Sequence, residues 1–576
     1  MSSSPTSPRI GVIIPIGSPP QRVITRHQLE NSSSDEGGAG PMEATFDVII
    51  VGGGGSGLAA AVSAAENGAR VLVLEKESRL GGTTGIAVGS FTANRTRLQA
   101  REQIEDSPTD HAEDAGKFGP PEYRDRNNHA LRQFFLENGG DTVAWLEDMG
   151  IAFHGPSPEP PNRVPRMHNV VPNAKAYIAT LHARLVRLGG EVKCDTAVID
   201  LMMHEGRVTG VEVVEHASSM AIAFAADGPA KLEPEGGQPG RYTARRGVIL
   251  AGGDYSSATP LIERSIGARY GAIEGINPFA AGYGQILAER AGAELLNMDI
   301  AYGPELRFVP TAGDGFMQLL PTSGPLARLM GRLLPLVPNF VIKRIVKRLL
   351  VSWQHPEDSI LEDGAILVNR EGRRFCNETV GKEREIAVAQ QPDKEAFILL
   401  DERLIKRYSA WPHFISTAPE IAYAYVDDYL RLRPDVSTRG PSLAAVATRW
   451  NLPVDALAET LDDYNRYARG EAPDPQGRTG NNEPLQGSDW VLLGPAKAYI
   501  TTTEGGASVD TELRVLNPAS QPIAGLYAVG QNGLGGQILW GHGLKIGWAL
   551  TSGRLAGKIV AQAAPVEVPA QKGSNA

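Results

Sequence analysis

A chain of 576 residues exceeds the size at which one hydrophobic core stops growing, so at least two domains are expected. Apolar residues make up 42% and charged residues 21%, the balance of a folded globular protein, and the net charge of −10 opposes a nucleic-acid partner, which would need a local basic patch against that field. The two cysteines, Cys194 and Cys376, lie in neither a CxxC nor a CxxCH motif; this gives no support to a zinc ribbon or attached haem, so no metal site is expected, and it fits a reducing, cytoplasmic setting.

Residues 1–43 are rich in Ser, Pro and Gly and are expected to form a disordered extension. Their apolar piece IGVIIPIG is too short and proline-interrupted for a signal core, and no run of 18 apolar residues occurs anywhere in the chain. The first strand is FDVIIVG, which runs into Gly52, Gly54 and Gly57 at the GxGxxG spacing and then into the alanine-rich helix that Gly55 and Ser56 open. The strand ARVLVLEK then delivers Glu75, with Lys76 beside it, 18 positions after Gly57. In such a unit the first glycine permits the tight turn, the second lets backbone approach a pyrophosphate at the helix N-terminus, and the acid accepts from a ribose hydroxyl. A dinucleotide site follows, but NAD and FAD are not separated by this unit alone.

Three later stretches favour the longer cofactor. RLGGTTGIAVGSF places Gly82, Thr83, Thr84, Gly89 and Ser90 where such a ligand needs backbone and hydroxyl donors. A buried-strand run in ARRGVILAGGDYS ends in Ala251 and Gly252, which suggests a strand of the same sheet returning to the nucleotide. Residues 525–557 combine a short strand, a glycine-dense loop and a helix some 470 positions beyond the first motif, so both ends of the chain reach the cofactor.

These stretches, together with GRVTGVEV and ILVNREGRRFCNE, occur in the order found in the fumarate reductase and 3-ketosteroid dehydrogenase group of FAD-dependent oxidoreductases, which the chain resembles over roughly residues 46–560. The resemblance implies an α/β fold: a Rossmann-like FAD-binding domain of the GR2 type with an inserted α+β cap. It places the FAD-binding domain at 44–287 and 491–563, the cap at 288–490 and a disordered tail at 564–576. Val192 to Val214 is expected as an inserted strand pair and 215–245 as a variable loop. No histidine lies between Gly81 and Gln99, where covalent members attach the flavin, so noncovalent FAD is implied. Gly530 and Gln531 would sit by the ribityl chain, and Gly543 to Gly547, including Leu544 and Ile546, would border the isoalloxazine.

In the cap, PNFVIKRIVKRLLVSW puts Val341, Ile342, Ile345, Val346, Leu349 and Leu350 on one side of a helical wheel and Lys343, Arg344, Lys347 and Arg348 on the other. One reading is a peripheral membrane contact through residues 340–351, at the inner membrane face, which takes a lipophilic substrate from lipid. The other is a cap helix with a solvated basic face.

The catalytic residues depart from both family patterns. Fumarate reductases use an arginine proton donor after RFxNE, a histidine before Gly-Gly and a C-terminal arginine. Here Lys382 stands at the first position, with Arg384 two residues on, Thr502 at the second and His542 at the third. A carboxylate clamp wants bidentate arginine, so dicarboxylate reduction is disfavoured. The ketosteroid dehydrogenase tyrosine and proline are replaced by Leu539 and Trp540. His542 is therefore the leading candidate to act on a carbonyl or proton, and Tyr302 is a candidate proton acceptor. The expected activity is a dehydrogenase introducing a C=C bond next to a ketone in a small, apolar, ketosteroid-like substrate. The alternatives are an ene-reductase acting on an unsaturated acid or enone with Lys382 or Arg384 as proton donor, and a non-redox FAD-binding module. The electron acceptor is not indicated by the sequence.

Overall fold

The computed structural model describes residues 43–567 apart from 225–227, 312–319, 323, 334–336, 339–343, 345–346, 349, 353–354, 419–421 and 481–482. The expected N-terminal extension lies outside them, as do most of the apolar positions of the 340–351 segment. Two sheets organise the chain. The first begins with β1 (Glu43–Val51), whose Val48, Ile49 and Ile50 are fully buried, and passes through α1 (Gly55–Glu66) to β2 (Val71–Leu74). A small three-stranded sheet follows, made of β3 (Ser90–Thr92), β4 (Ala152–Ser157) and β5 (Met167–Val171). The chain then returns to the first sheet as β6 (Glu191–Lys193), β7 (Thr196–His204) and β8 (Arg207–Glu215). A separate hairpin of β9 (Ser219–Ala223) and β10 (Lys231–Glu235) leads into the long β11 (Gln238–Leu250).

The strand order of the first sheet is Arg514–Leu516, Pro522–Ala528, β8, β11, β1, β2, β6, with β7 paired to β8. Its parallel centre, β11–β1–β2, carries apolar runs because both faces are covered. The C-terminal helix Leu544–Gln562 closes against α1 through glycines. A Cβ on Gly553 would lie 2.3 Å from the Ser56 carbonyl oxygen, and one on Gly557 2.2 Å from that of Ala60. Glycine at both positions thus lets the two ends of the chain share one core.

The cap sheet has six strands, Glu274–Gly275, Glu305–Phe308, Ile366–Val368, Ala396–Leu400, Ser437–Gly440 and Trp490–Ile500. Trp490–Ile500 is its hub and pairs with all of these except Ile366–Val368. This moves the domain boundary from the expected 491 to beyond Ile500, because the whole strand is hydrogen-bonded into the cap, and Glu274–Gly275 joins the same sheet ahead of the expected 288. Residues 215–245 are corrected from a loop to β9, β10 and most of β11. The inserted hairpin starts at Thr196, since Glu191–Lys193 pairs with β2 instead. The expected tail is anchored in part: the Val566 N–H donates to the Arg245 carbonyl at 2.9 Å, while 568–576 lie outside the described residues. No helix among the described residues is long and apolar enough to cross a membrane.

Candidate active site

The glycine motif builds a cradle whose shape depends on the missing side chains. Gly52 has φ +111°, and a Cβ there would lie 2.5 Å from the Ala251 carbonyl oxygen; one on Gly57 would lie 1.9 Å from that of Gly52. α1 can therefore start hard against the end of β1. At Gly54, the N-cap of α1, an added Cβ would meet the Gly81 carbonyl oxygen and the Gly82 Cα at 3.9 Å, so the helix N-terminus, whose free N–H groups suit an anion, stands beside the Gly81–Gly82 turn. Gly57→Val drives a side chain into the Gly52 carbonyl, and the expected product is a protein purified without flavin absorbance, checked by its visible spectrum.

The other cofactor candidates extend this cradle in a chain of contacts. Glu75 is buried and accepts from the Gly53 N–H at 2.8 Å and the Glu77 N–H at 2.9 Å; burial raises its pKa while these amides oppose the shift. Lys76 pairs with Glu77 at 2.5 Å beside the rings of Phe279 and Tyr283. Gly82, at φ +51°, faces Gly54; Thr84 covers Gly55; and the Thr83 hydroxyl accepts from Asn277 at 2.9 Å. Gly89 lies against Val170 and Ala174, and the Ser90 hydroxyl donates to Asn169 at 2.7 Å.

At the sheet end, the Gly252 N–H donates to Asn532 at 2.9 Å, and Gly530 packs on Ser56. The Gln531 amide nitrogen donates to the Thr502 hydroxyl at 2.7 Å and the Thr503 carbonyl at 2.8 Å, while its Oε1 and the Asn532 Nδ2 are buried with no partner in the protein. Buried polar atoms are rarely left unmade, so an acceptor and a donor waiting in this groove fit the polyhydroxyl chain of a flavin dinucleotide. Gly543, at φ +81°, presses its backbone onto Phe91 and Thr92 of β3 and opens the C-terminal helix, with Leu544 buried and Ile546 partly buried in its first turn.

His542 lies immediately before that helix. Its Nδ1 meets Glu159 Oε1 at 2.5 Å, its backbone N–H donates to the same oxygen at 3.1 Å, and its carbonyl accepts from the Thr92 hydroxyl at 2.5 Å. The Glu159 carboxylate is buried whereas the His542 ring is 58% exposed, so the pair leaves the imidazole accessible and hides its counter-charge. The hydrogen bond to Glu159 holds the His542 pKa above its ordinary value, with burial opposing and the charges of Glu159 and Glu305 adding.

Tyr302 pairs across a short ladder with Thr502 and rests on Trp540, ring centroids 5.2 Å apart; Trp540 also meets Tyr123 at 5.8 Å. Burial, then Glu305, pushes the Tyr302 phenol well up, and Glu159 lies within its electrostatic reach. Burial works against ionisation of Glu305, yet Arg307 and His355 hold its carboxyl below the ordinary value. Burial pushes His355 down, with Glu305 and Asp358 opposing and Arg307 and His542 reinforcing.

Tyr302 and His542 thus both lie within the electrostatic reach of Glu159 and Glu305. Lys382 is instead exposed on helix Gly381–Ala389. Arg384 is buried in an ion cluster with Asp358 at 2.7 Å and Glu385 at 2.6 Å, so its charge is already satisfied. Thr502 is held between Gln531 and Asp254, to which its hydroxyl donates at 2.7 Å. Glu159, Glu305, Arg307, Glu504 and Lys545 were not singled out from the sequence. Glu504 is fully buried; its Oε1 meets Lys545 at 2.5 Å and its Oε2 accepts from the Leu539 N–H at 3.3 Å.

A two-ended glycine cradle and an inserted cap are the architecture of a flavin-dependent oxidoreductase. The chain belongs to the FAD binding domain family, whose profile matches residues 47–323 and 346–537. It is similar to the NADH:fumarate oxidoreductase of Klebsiella pneumoniae, 25% identical over 89% of this chain, and spans about half (47%) of that relative's length. It is 26% identical to the vinyl phenol reductase of Lactiplantibacillus plantarum over 90% of this chain and 97% of the relative. Among solved structures, the open conformation of a flavocytochrome c3 fumarate reductase shares the fold, with a TM-score of 0.65 and 23% identity over 91% of this chain and 79% of that one.

Proposed function

We propose that this FAD-dependent enzyme exchanges hydrogen across a carbon–carbon bond conjugated with a ketone in a neutral, apolar, cyclic substrate, and that it works as an enone reductase. The observation that carries this reading is the His542–Glu159 pair, in which a buried carboxylate favours the protonated form of an exposed imidazole two positions from Trp540, on whose ring Tyr302 rests. The bound flavin would supply the hydride at its N5. With Nδ1 occupied by Glu159, the remaining His542 N–H is free to donate to the ketone oxygen, so negative charge developing there is met by a fixed donor. The Tyr302 phenol, kept protonated by burial and Glu305, delivers its proton to the carbon beside the ketone.

Dehydrogenation, the direction expected from the sequence, is the reverse of the same exchange. It asks Tyr302 to accept a proton against the burial that keeps the phenol neutral. A dicarboxylate substrate is disfavoured by charge: Arg307 is paired with Glu305 at 2.6 Å and Lys545 with Glu504 at 2.5 Å, and Glu159 adds a further acid. Names of relatives that reduce fumarate or vinyl phenol support C=C chemistry in general.

The test is anaerobic spectroscopy of the dithionite-reduced protein, following recovery of the flavin band near ~450 nm. Cyclic enones are expected to reoxidise it and fumarate to leave it reduced. Reoxidation by fumarate alone overturns the neutral-substrate reading, and bleaching of the oxidised protein by saturated ketones without enone reduction reinstates dehydrogenation. Silence towards enones, ketones and unsaturated acids alike leaves the non-redox binding module.

A further inference from the structure

Helix Gly324–Leu333 packs against β4 and β5, two residues along the chain from the end of which stands Glu159. Leu326, Leu329 and Leu333 recur at i, i+3 and i+7 and so share one face; they are 55%, 49% and 49% exposed. A continuous exposed leucine stripe is not what a helix facing water needs, and it calls for a covering surface.

The charge along the chain that follows indicates which surface. Between Asp314 and Glu357 the chain contains no acidic residue and six basic ones, Arg328, Arg332, Lys343, Arg344, Lys347 and Arg348, within a protein of net charge −10. Lys347 is held by Asp428 at 2.9 Å, while Arg344 and Arg348 are exposed. Leu350 and Val351 bury themselves in the cap and tie the end of the stretch to the body of the protein.

We propose that this stretch docks on an anionic phospholipid surface, with the Leu326, Leu329 and Leu333 stripe at the headgroup–acyl boundary and Arg344 and Arg348 against the headgroups. A bilayer satisfies both halves of the pattern, apolar stripe and cations, whereas a polyanion such as nucleic acid would leave the leucines in water. The net charge of −10 opposes approach to the same headgroups elsewhere, which favours docking through this basic stretch. The inference rests on exposure and charge and does not depend on the substrate proposed above.

The experiment is co-sedimentation of the full-length, flavin-loaded protein with vesicles of phosphatidylcholine alone and of phosphatidylcholine mixed with phosphatidylglycerol. Pelleting is expected with the mixed vesicles, little with the neutral ones, and release at high salt. The triple variant Leu326→Glu, Leu329→Glu, Leu333→Glu is expected to stay in the supernatant with its flavin spectrum intact. Should it fail to fold, Arg344→Glu with Arg348→Glu carries the test: partitioning falls at least about 25-fold, roughly fivefold for each basic residue lost. Absence of pelleting with the anionic vesicles overturns the proposal, as does pelleting that neither variant changes. Binding of duplex DNA that survives the leucine substitutions overturns it in favour of a polyanion site.

Discussion

Replacing His542 with alanine is expected to slow reoxidation of the reduced flavin by an enone about 10²- to 10⁴-fold, the usual contribution of a positioned acid or base, while leaving the flavin bound. The reasoning turns on protonation. The hydrogen bond to Glu159 raises the His542 pKa above its ordinary value, which favours the imidazolium as the working form. A group with a raised folded-state pKa is fully charged below its unfolded value and loses that charge as pH rises through the folded value. Rate and any stability from the pair should therefore both fall on the alkaline side. Glu159→Gln removes the buried counter-charge, and the alkaline limb of the pH–rate profile should move to lower pH. A profile unchanged by Glu159→Gln would show that the pair is only a structural hydrogen bond, and an unchanged rate in His542→Ala would remove His542 from the chemistry altogether.

Lys545→Met should be the most damaging single change to stability near the flavin. Its partner Glu504 has no exposed side-chain surface, and stranding a buried carboxylate in this way typically costs about 3–5 kcal/mol. Thermal or denaturant unfolding would show this as a lower midpoint, and adding Glu504→Gln should recover much of the loss because the charge left behind is then gone. The pair also bears on electron affinity. Lys545 lies in the first turn of the helix expected to border the isoalloxazine, where a cation favours the electron-rich reduced form. Lys545→Met in the Glu504→Gln background should lower the flavin midpoint potential relative to Glu504→Gln alone, read by dye-coupled reductive titration. An unchanged potential would place Lys545 outside the flavin's field.

The cofactor cradle was legible in the sequence because each of its glycines answers a local need. The turn at Gly52 and the close approach at Gly57 are decided within a few residues, and the order of motifs supplied the rest. The His542–Glu159 pair was legible by half. His542 stands in a glycine loop that attracts notice, but Glu159 lies 383 positions away as one acid in the proline-rich run PSPEPPNR, with no spacing that points to His542. Charge pairing hides other residues in the same way: Arg384 reads as a candidate donor until Asp358 and Glu385 are seen around it. The stretch 215–245 defeats pattern reading because β9 and β10 are a short two-stranded hairpin with much of its surface in solvent, whose strands of five residues each, with a proline in β10, give too short an alternation to stand out. The boundary at 491 was misplaced because an apolar strand near the chain's return looks the same whichever sheet it joins.

That strand, Trp490–Ile500, has a mechanical consequence. It is the hub of the cap, and a single residue, Thr501, separates it from Thr502 and Thr503, which pair with Ala301 and Tyr302 and hold Gln531; Glu504 follows at once. The cap is therefore geared to the flavin side of the cleft by a taut backbone with no slack loop between them. The cap sheet, Gln531 and the Glu504–Lys545 pair are thus tied to one continuous backbone, so a change in the position of the cap strand has a short covalent path to the residues on the far side of Thr501.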